Sequence, residues 1–203
     1  MTASGIPVDR LPTEPRRVRA DVGWWGMVLF CMTEATLFAY FLGSYFYLGV
    51  ANPAWPPAGV PDPSLRLPLL MTLLLVSSSV VLVLGERRLA RGQRAHYHLG
   101  TALTVLLGLG FLALQAAEYR EKLAHGGPAT SAYDSLFFTI TGFHGTHVFV
   151  GLLLLTWTLA RSLAGNIDPA RPVAVKNASL YWHFVDAVWL VIFTCLYLSP
   201  RWY

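Results

Sequence analysis

Residues 67–85 read LPLLMTLLLVSSSVVLVLG, nineteen residues without one charged side chain. Coiled as an α-helix at ~1.5 Å per residue, such a run reaches ~28 Å, enough to cross a hydrocarbon layer of ~30 Å. Four more apolar runs flank it, at about 22–50, 97–118, 134–161 and 177–199. The breaks between them carry turn chemistry: Asn52–Pro53 and Trp55–Pro56–Pro57, then Arg87–Arg88 through Gly92, then Gly126–Gly127–Pro128, then Gly165, Pro169 and Pro172. The pattern predicts an all-α polytopic membrane protein: a polar tail over 1–20 and a bundle of five transmembrane helices over 21–203. The tail is rich in Pro and Arg and has no apolar core or small-residue cleavage site, so it does not read as a signal peptide.

Composition agrees. Of 203 residues 55% are hydrophobic and 13% charged, about half the charged fraction of a soluble domain. Arg10, Arg16, Arg17, Arg19, Arg87, Arg88, Arg91, Arg94, Arg161, Arg171 and Lys176 all fall on one side of the predicted membrane. Only Arg66, Arg120, Lys122 and Arg201 fall on the other. The positive-inside rule then puts the N-terminus in the cytoplasm and the C-terminus outside. The same placement explains the net charge of +4 without nucleic acid, because no basic stripe interleaved with aromatics stands outside the membrane. Cys31 and Cys195 lie within apolar runs and read as buried thiols.

Ionisable groups at depth cost ~2.5–3.5 kcal/mol each on insertion scales, so each needs a reason. Glu34 lies ~18 Å into the first helix. His147 and His144 lie ~21 Å and ~25 Å from the cytoplasmic end of the fourth and, at i, i+3, share a face. Three chemistries fit: a metal site of three ligands, a proton relay, and a structural pair that ties helix one to helix four. Spacing alone favours the pair and leaves the others open. His183 and Asp186 form a second i, i+3 pair near the cytoplasmic end of the fifth helix, where the carboxylate would satisfy its own histidine. His183 is too far along the membrane normal from His144 and His147 for two of them to share a haem iron; His96, His98 and His125 fall at or beyond the membrane edge. Gln115 and Glu118 read as a solvated outer helix end. Gly100, Thr104 and Gly108, with Gly142 and Gly145, read as packing stripes within the bundle. No nucleophile triad, phosphate loop, CxxC or dinucleotide motif is present.

Five segments, in order, carry a family resemblance: Thr33-Glu-Ala-Thr-Leu-Phe38, Trp55-Pro-Pro-Ala-Gly59, Gln115-Ala-Ala-Glu-Tyr119, Thr141-Gly-Phe-His-Gly-Thr-His-Val148 and Tyr181-Trp-His-Phe-Val-Asp-Ala-Val-Trp189. Together they resemble subunit III of the haem-copper respiratory oxidases, in a short five-helix bacterial form that starts at the third helix of the mitochondrial seven. The resemblance implies a non-catalytic role beside subunits I and II, which hold the haem and copper; this chain would hold no cofactor of its own. It implies structural phospholipid, with Arg161 at a lipid phosphate, and support of proton uptake, with His96 and His98 in a loop on the proton-entry side. Glu34 and the Trp55-Pro-Pro turn resemble the cytochrome c branch more than the quinol branch. A proton-coupled transporter using Glu34 is the rival from another class. Thirteen arginines against two lysines point to a high-GC bacterium and its plasma membrane, and a larger respiratory supercomplex is a conceivable setting.

Overall fold

The computed structural model describes residues 17–52, 55–57, 65–167 and 173–199, leaving aside the side chains of 17–21 and 125. The tail before residue 17, Pro53, Ala58–Gly59 of the first loop, Pro169 through Pro172 with Arg171, and Arg201 lie outside the described residues. Five helices follow one another: α1 (Arg17–Ala51), α2 (Arg66–Leu89), α3 (Arg94–His125), α4 (Ala132–Leu163) and α5 (Val173–Phe193), the last running into a π-helical turn, Thr194–Leu198. All five are long and apolar enough to cross a membrane. Among the described residues there is no strand.

The helices outrun their apolar runs because polar ends continue the backbone ladder past the hydrocarbon. α3 begins three residues before the predicted 97 and ends seven beyond 118; α5 begins four before the predicted 177. Where they stop, the reason is local. Ser131 caps α4, accepting from the Asp134 amide at 3.0 Å and donating to its carboxylate at 2.7 Å. After α4, Gly165 turns left-handed at φ 74°, and the Asn166 amide reaches back to the Arg161 carbonyl at 2.9 Å. Gly92, at φ 78°, closes the four-residue link from α2 to α3 in the same way.

Each helix buries one stripe. In α2 it is Pro68, Met71, Leu75, Ser78, Leu82, Gly85 and Leu89, a 3-4-3-4 spacing that keeps one face inward. In α3 it is Tyr97, Thr101, Thr104, Gly108, Phe111, Gln115 and Glu118. Leucines cover the outer faces, among them Leu29, Leu73, Leu106 and Leu153, which is ordinary where the solvent is lipid. α5 lies in the middle, packed on α4, α1 and α2, whereas α1 is peripheral and rests on α5 and α4.

Backbone approach decides two of these contacts. Gly85 and Gly100 face each other so closely that a Cβ on Gly100 would lie 3.3 Å from the Gly85 Cα. Trp182 of α5, wholly buried, fills the centre between Gly108 of α3 and Gly151 of α4, and its indole N–H donates to Ser78 Oγ at 2.9 Å. The glycine stripes therefore serve packing inside this bundle. Cys31 is buried and Cys195 half-buried, both as free thiols.

Candidate functional site: the polar groups inside the bundle

Glu34 projects from α1 and meets His147 of α4, with Oε2 3.0 Å from Nε2. Both side chains are mostly enclosed, 23% and 12% exposed, so water does little to relieve either of them. The other ring nitrogen, Nδ1, lies 2.7 Å from the Phe143 carbonyl one turn back, a bond for which it must carry a proton. One further proton then sits between Nε2 and Oε2. Whichever atom holds it, the pair as a whole is neutral, which is how an acid persists at this depth. Phe38 closes edge-on over the His147 ring at 5.1 Å, and the Tyr181 hydroxyl donates to the His147 carbonyl at 3.3 Å.

His144 does not join them. It points into the core, wholly buried, stacked on Trp189 at 5.2 Å and met edge-on by Phe111 at 5.6 Å. Neither ring nitrogen has a hydrogen-bond partner among the described residues. Three residues along a helix turn the side chain by ~60°, enough here to separate a core histidine from one that faces α1. The three-ligand metal reading of Glu34, His144 and His147 fails on this geometry. Among the described residues no group of three His, Cys, Asp or Glu side chains comes together to hold a metal ion.

The second predicted pair is corrected as well. Asp186 does not bond its own His183; Ser79 of α2 stands between them. Ser79 Oγ donates to the Asp186 carboxylate and lies 2.9 Å from His183 Nδ1. α5 starts at Val173, four residues before its apolar run, so His183 lies ~15 Å from that helix end and ~9 Å inside the run. Gln115 and Glu118 are likewise buried, 6% and 7% exposed, where a solvated helix end was expected. Gln115 donates to the Thr141 carbonyl at 2.6 Å, and the Tyr197 hydroxyl lies 3.0 Å from both Glu118 oxygens. The signal for this was present: both continue the 3-4 stripe of Thr104, Gly108 and Phe111, and their polarity masked it.

The remaining predicted residues lie at the helix ends. Arg161, in the last turn of α4, is exposed and holds its guanidinium 5.1 Å from the centroid of the Trp157 ring. His96 and His98 are in the first turns of α3 and not in a loop. His96 is exposed, while His98 Nε2 lies 2.9 Å from Ser162 Oγ of α4.

Residues 16–201 match the family model for cytochrome c oxidase subunit III. Cytochrome c oxidase subunit 3 of Synechocystis sp. is 37% identical over 179 residues, covering 88% of this chain and 76% of that protein. The Gallus gallus protein of the same name is 38% identical over 179 residues, covering 85% of this chain and 68% of its own length. That of Branchiostoma lanceolatum is 39% identical over 178 residues, covering 85% and 67%. A match along nearly the whole chain, on a bundle of five membrane-length helices, makes this multi-pass protein a member of the cytochrome c oxidase subunit III family and a subunit of a terminal oxidase complex.

Proposed function

We propose that the chain is the non-catalytic third subunit of a proton-pumping cytochrome c oxidase in a bacterial plasma membrane. Haem and copper belong to subunits I and II, and this chain stabilises the catalytic subunit, binds structural phospholipid and supports proton uptake. The observation that carries the reading is how the buried polar groups are spent. Glu34 is tied to His147, Glu118 to Tyr197, Asp186 to Ser79, and Trp189 to Thr72, each pair joining two different helices. Groups held in interhelical bonds brace a scaffold. A transporter needs a polar path to both surfaces, and the hydrogen bonds of Glu34 reach only His147 among the described residues.

In this reading the N-terminus is cytoplasmic and the C-terminus outside, as the arginine distribution requires. Arg161 would then stand at the cytoplasmic headgroup level, suited to a lipid phosphate, with His96 and His98 on the proton-entry side. Purification in mild detergent tests the proposal. The chain is expected to leave the membrane with haem, copper and larger subunits at a fixed ratio. An isolated, colourless chain that transports protons would overturn it.

A further inference from the structure

The seam between α2 and α5 carries a line of polar contacts at heptad spacing on α2. Thr72 meets Trp189 at 2.9 Å, Ser79 meets His183 and Asp186, and Glu86 lies beside Ser179 and Lys176. The middle one opens outward. Ser79 donates its hydroxyl proton to Asp186, so toward His183 the same oxygen can only accept, and Nδ1 carries the ring proton. In a neutral imidazole that leaves Nε2 as a bare lone pair. It has no hydrogen bond among the described residues and is not among the atoms the bundle encloses, His183 being half-buried.

The depth makes this costly. His183 lies ~9 Å inside the apolar run of α5, which begins at 177, and Ser79 ~9 Å inside that of α2, which ends at 85. Acyl chains supply no donor, and a polar atom left unmet in hydrocarbon costs several kcal/mol. One turn further along the same face of α5 is Ala187, exposed and small enough for a second backbone to approach closely.

We infer that the α2–α5 seam at Ser79, His183 and Ala187 is a docking face for a transmembrane helix of another subunit of the oxidase, which presents a hydroxyl, amide or indole N–H to His183 Nε2. Asp186, acting through Ser79, is a positioning residue that fixes which ring nitrogen faces the partner. The inference rests on the chain being an oxidase subunit and adds where that subunit is held.

The test uses the whole purified oxidase. Ala187→p-benzoylphenylalanine leaves the polar trio untouched and should, on irradiation, yield a covalent product with another oxidase subunit. His183→Leu should speed loss of this chain from the complex during a detergent wash by about 3- to 20-fold, the range for one interhelical hydrogen bond in a membrane. His183→Gln, whose amide oxygen restores an acceptor near the Nε2 position, should hold as well as the parent. A photoproduct with lipid or with a second copy of this chain would overturn the docking face, as would equal retention of the His183→Leu and parent chains. If the unaltered chain did not leave the membrane with haem and copper at all, the subunit assignment itself would fall. Co-purification without the cross-link would sink the docking face alone.

Discussion

Gly108→Ala adds one methyl group at the most crowded place in the bundle. Its Cβ would lie 2.6 Å from Leu152 Cδ2 and 2.7 Å from Trp182 Cη2, where an ordinary carbon contact is about 3.5–4.0 Å. Leu152 can swing its terminal methyl aside. Trp182 cannot, because the Gly151 backbone backs the other edge of its ring so closely that a Cβ there would lie 2.8 Å from it, and Ser78 holds its indole N–H at 2.9 Å. The usual gain of about 0.8–1 kcal/mol for Ala over Gly in a helix largely cancels, since an unassembled membrane helix keeps its backbone bonds too. Overpacking then dominates, at about 1–3 kcal/mol, with about 0.6–1.7 kcal/mol more if Trp182 is driven off Ser78. The expected loss is about 2–4 kcal/mol. A double-mutant cycle with Trp182→Phe, read by denaturant titration in mixed micelles, measures it. If Trp182 is the obstruction, Gly108→Ala in the Phe background should cost at least 1 kcal/mol less than in the parent, by the usual size of contact coupling. Strictly additive losses, or a parent-like Gly108→Ala, would refute the reasoning.

Tyr197→Phe strips Glu118 of its hydrogen bond inside the bundle and should destabilise it by about 1.5–3 kcal/mol, while Glu118→Gln with Tyr197→Phe should recover part of the loss, as thermal unfolding in detergent will show. Glu34→Ala leaves His147 without its partner and should loosen the hold of α1 on α4 while oxygen reduction continues; complete loss of turnover in a fully assembled complex would instead make Glu34 a proton carrier. Arg161→Ala should lower the number of tightly bound phospholipids counted by native mass spectrometry, and an unchanged count would leave Arg161 as an orientation signal. His96→Ala with His98→Ala should leave electron transfer intact but slow turnover progressively as pH rises from 6 to 9, because proton supply becomes limiting there. Superimposable oxygen-consumption profiles would remove the pair from proton delivery.

The number and kind of helices were legible from residue order alone, because burial in lipid is a property of a single helix. A run such as 67–85 must satisfy its backbone internally and must be apolar, whatever its neighbours do. The glycine stripes were legible for a related reason: small residues at helical spacing have little use except to let another helix come close. Glu34 could be given a depth, and depth brought it near His144 and His147.

What the chain order could not decide was azimuth. His144 and His147 differ by a fraction of a turn, and only the packing of α4 against α1, α3 and α5 sends one to Trp189 and the other to Glu34. Ser79 entered the His183–Asp186 pair from more than a hundred residues away, and no local spacing announces such a contact. Gln115 and Glu118 were assigned to solvent by their chemical type, yet the face of α3 they occupy is closed by Thr141 and by Tyr197 at the π-helical turn of α5. A sequence determines how far along the membrane normal each group can lie. Which group it touches depends on how five helices rotate about their axes, and that rotation is settled jointly by side chains such as Trp182, which packs against α3 and α4 and bonds α2 at once.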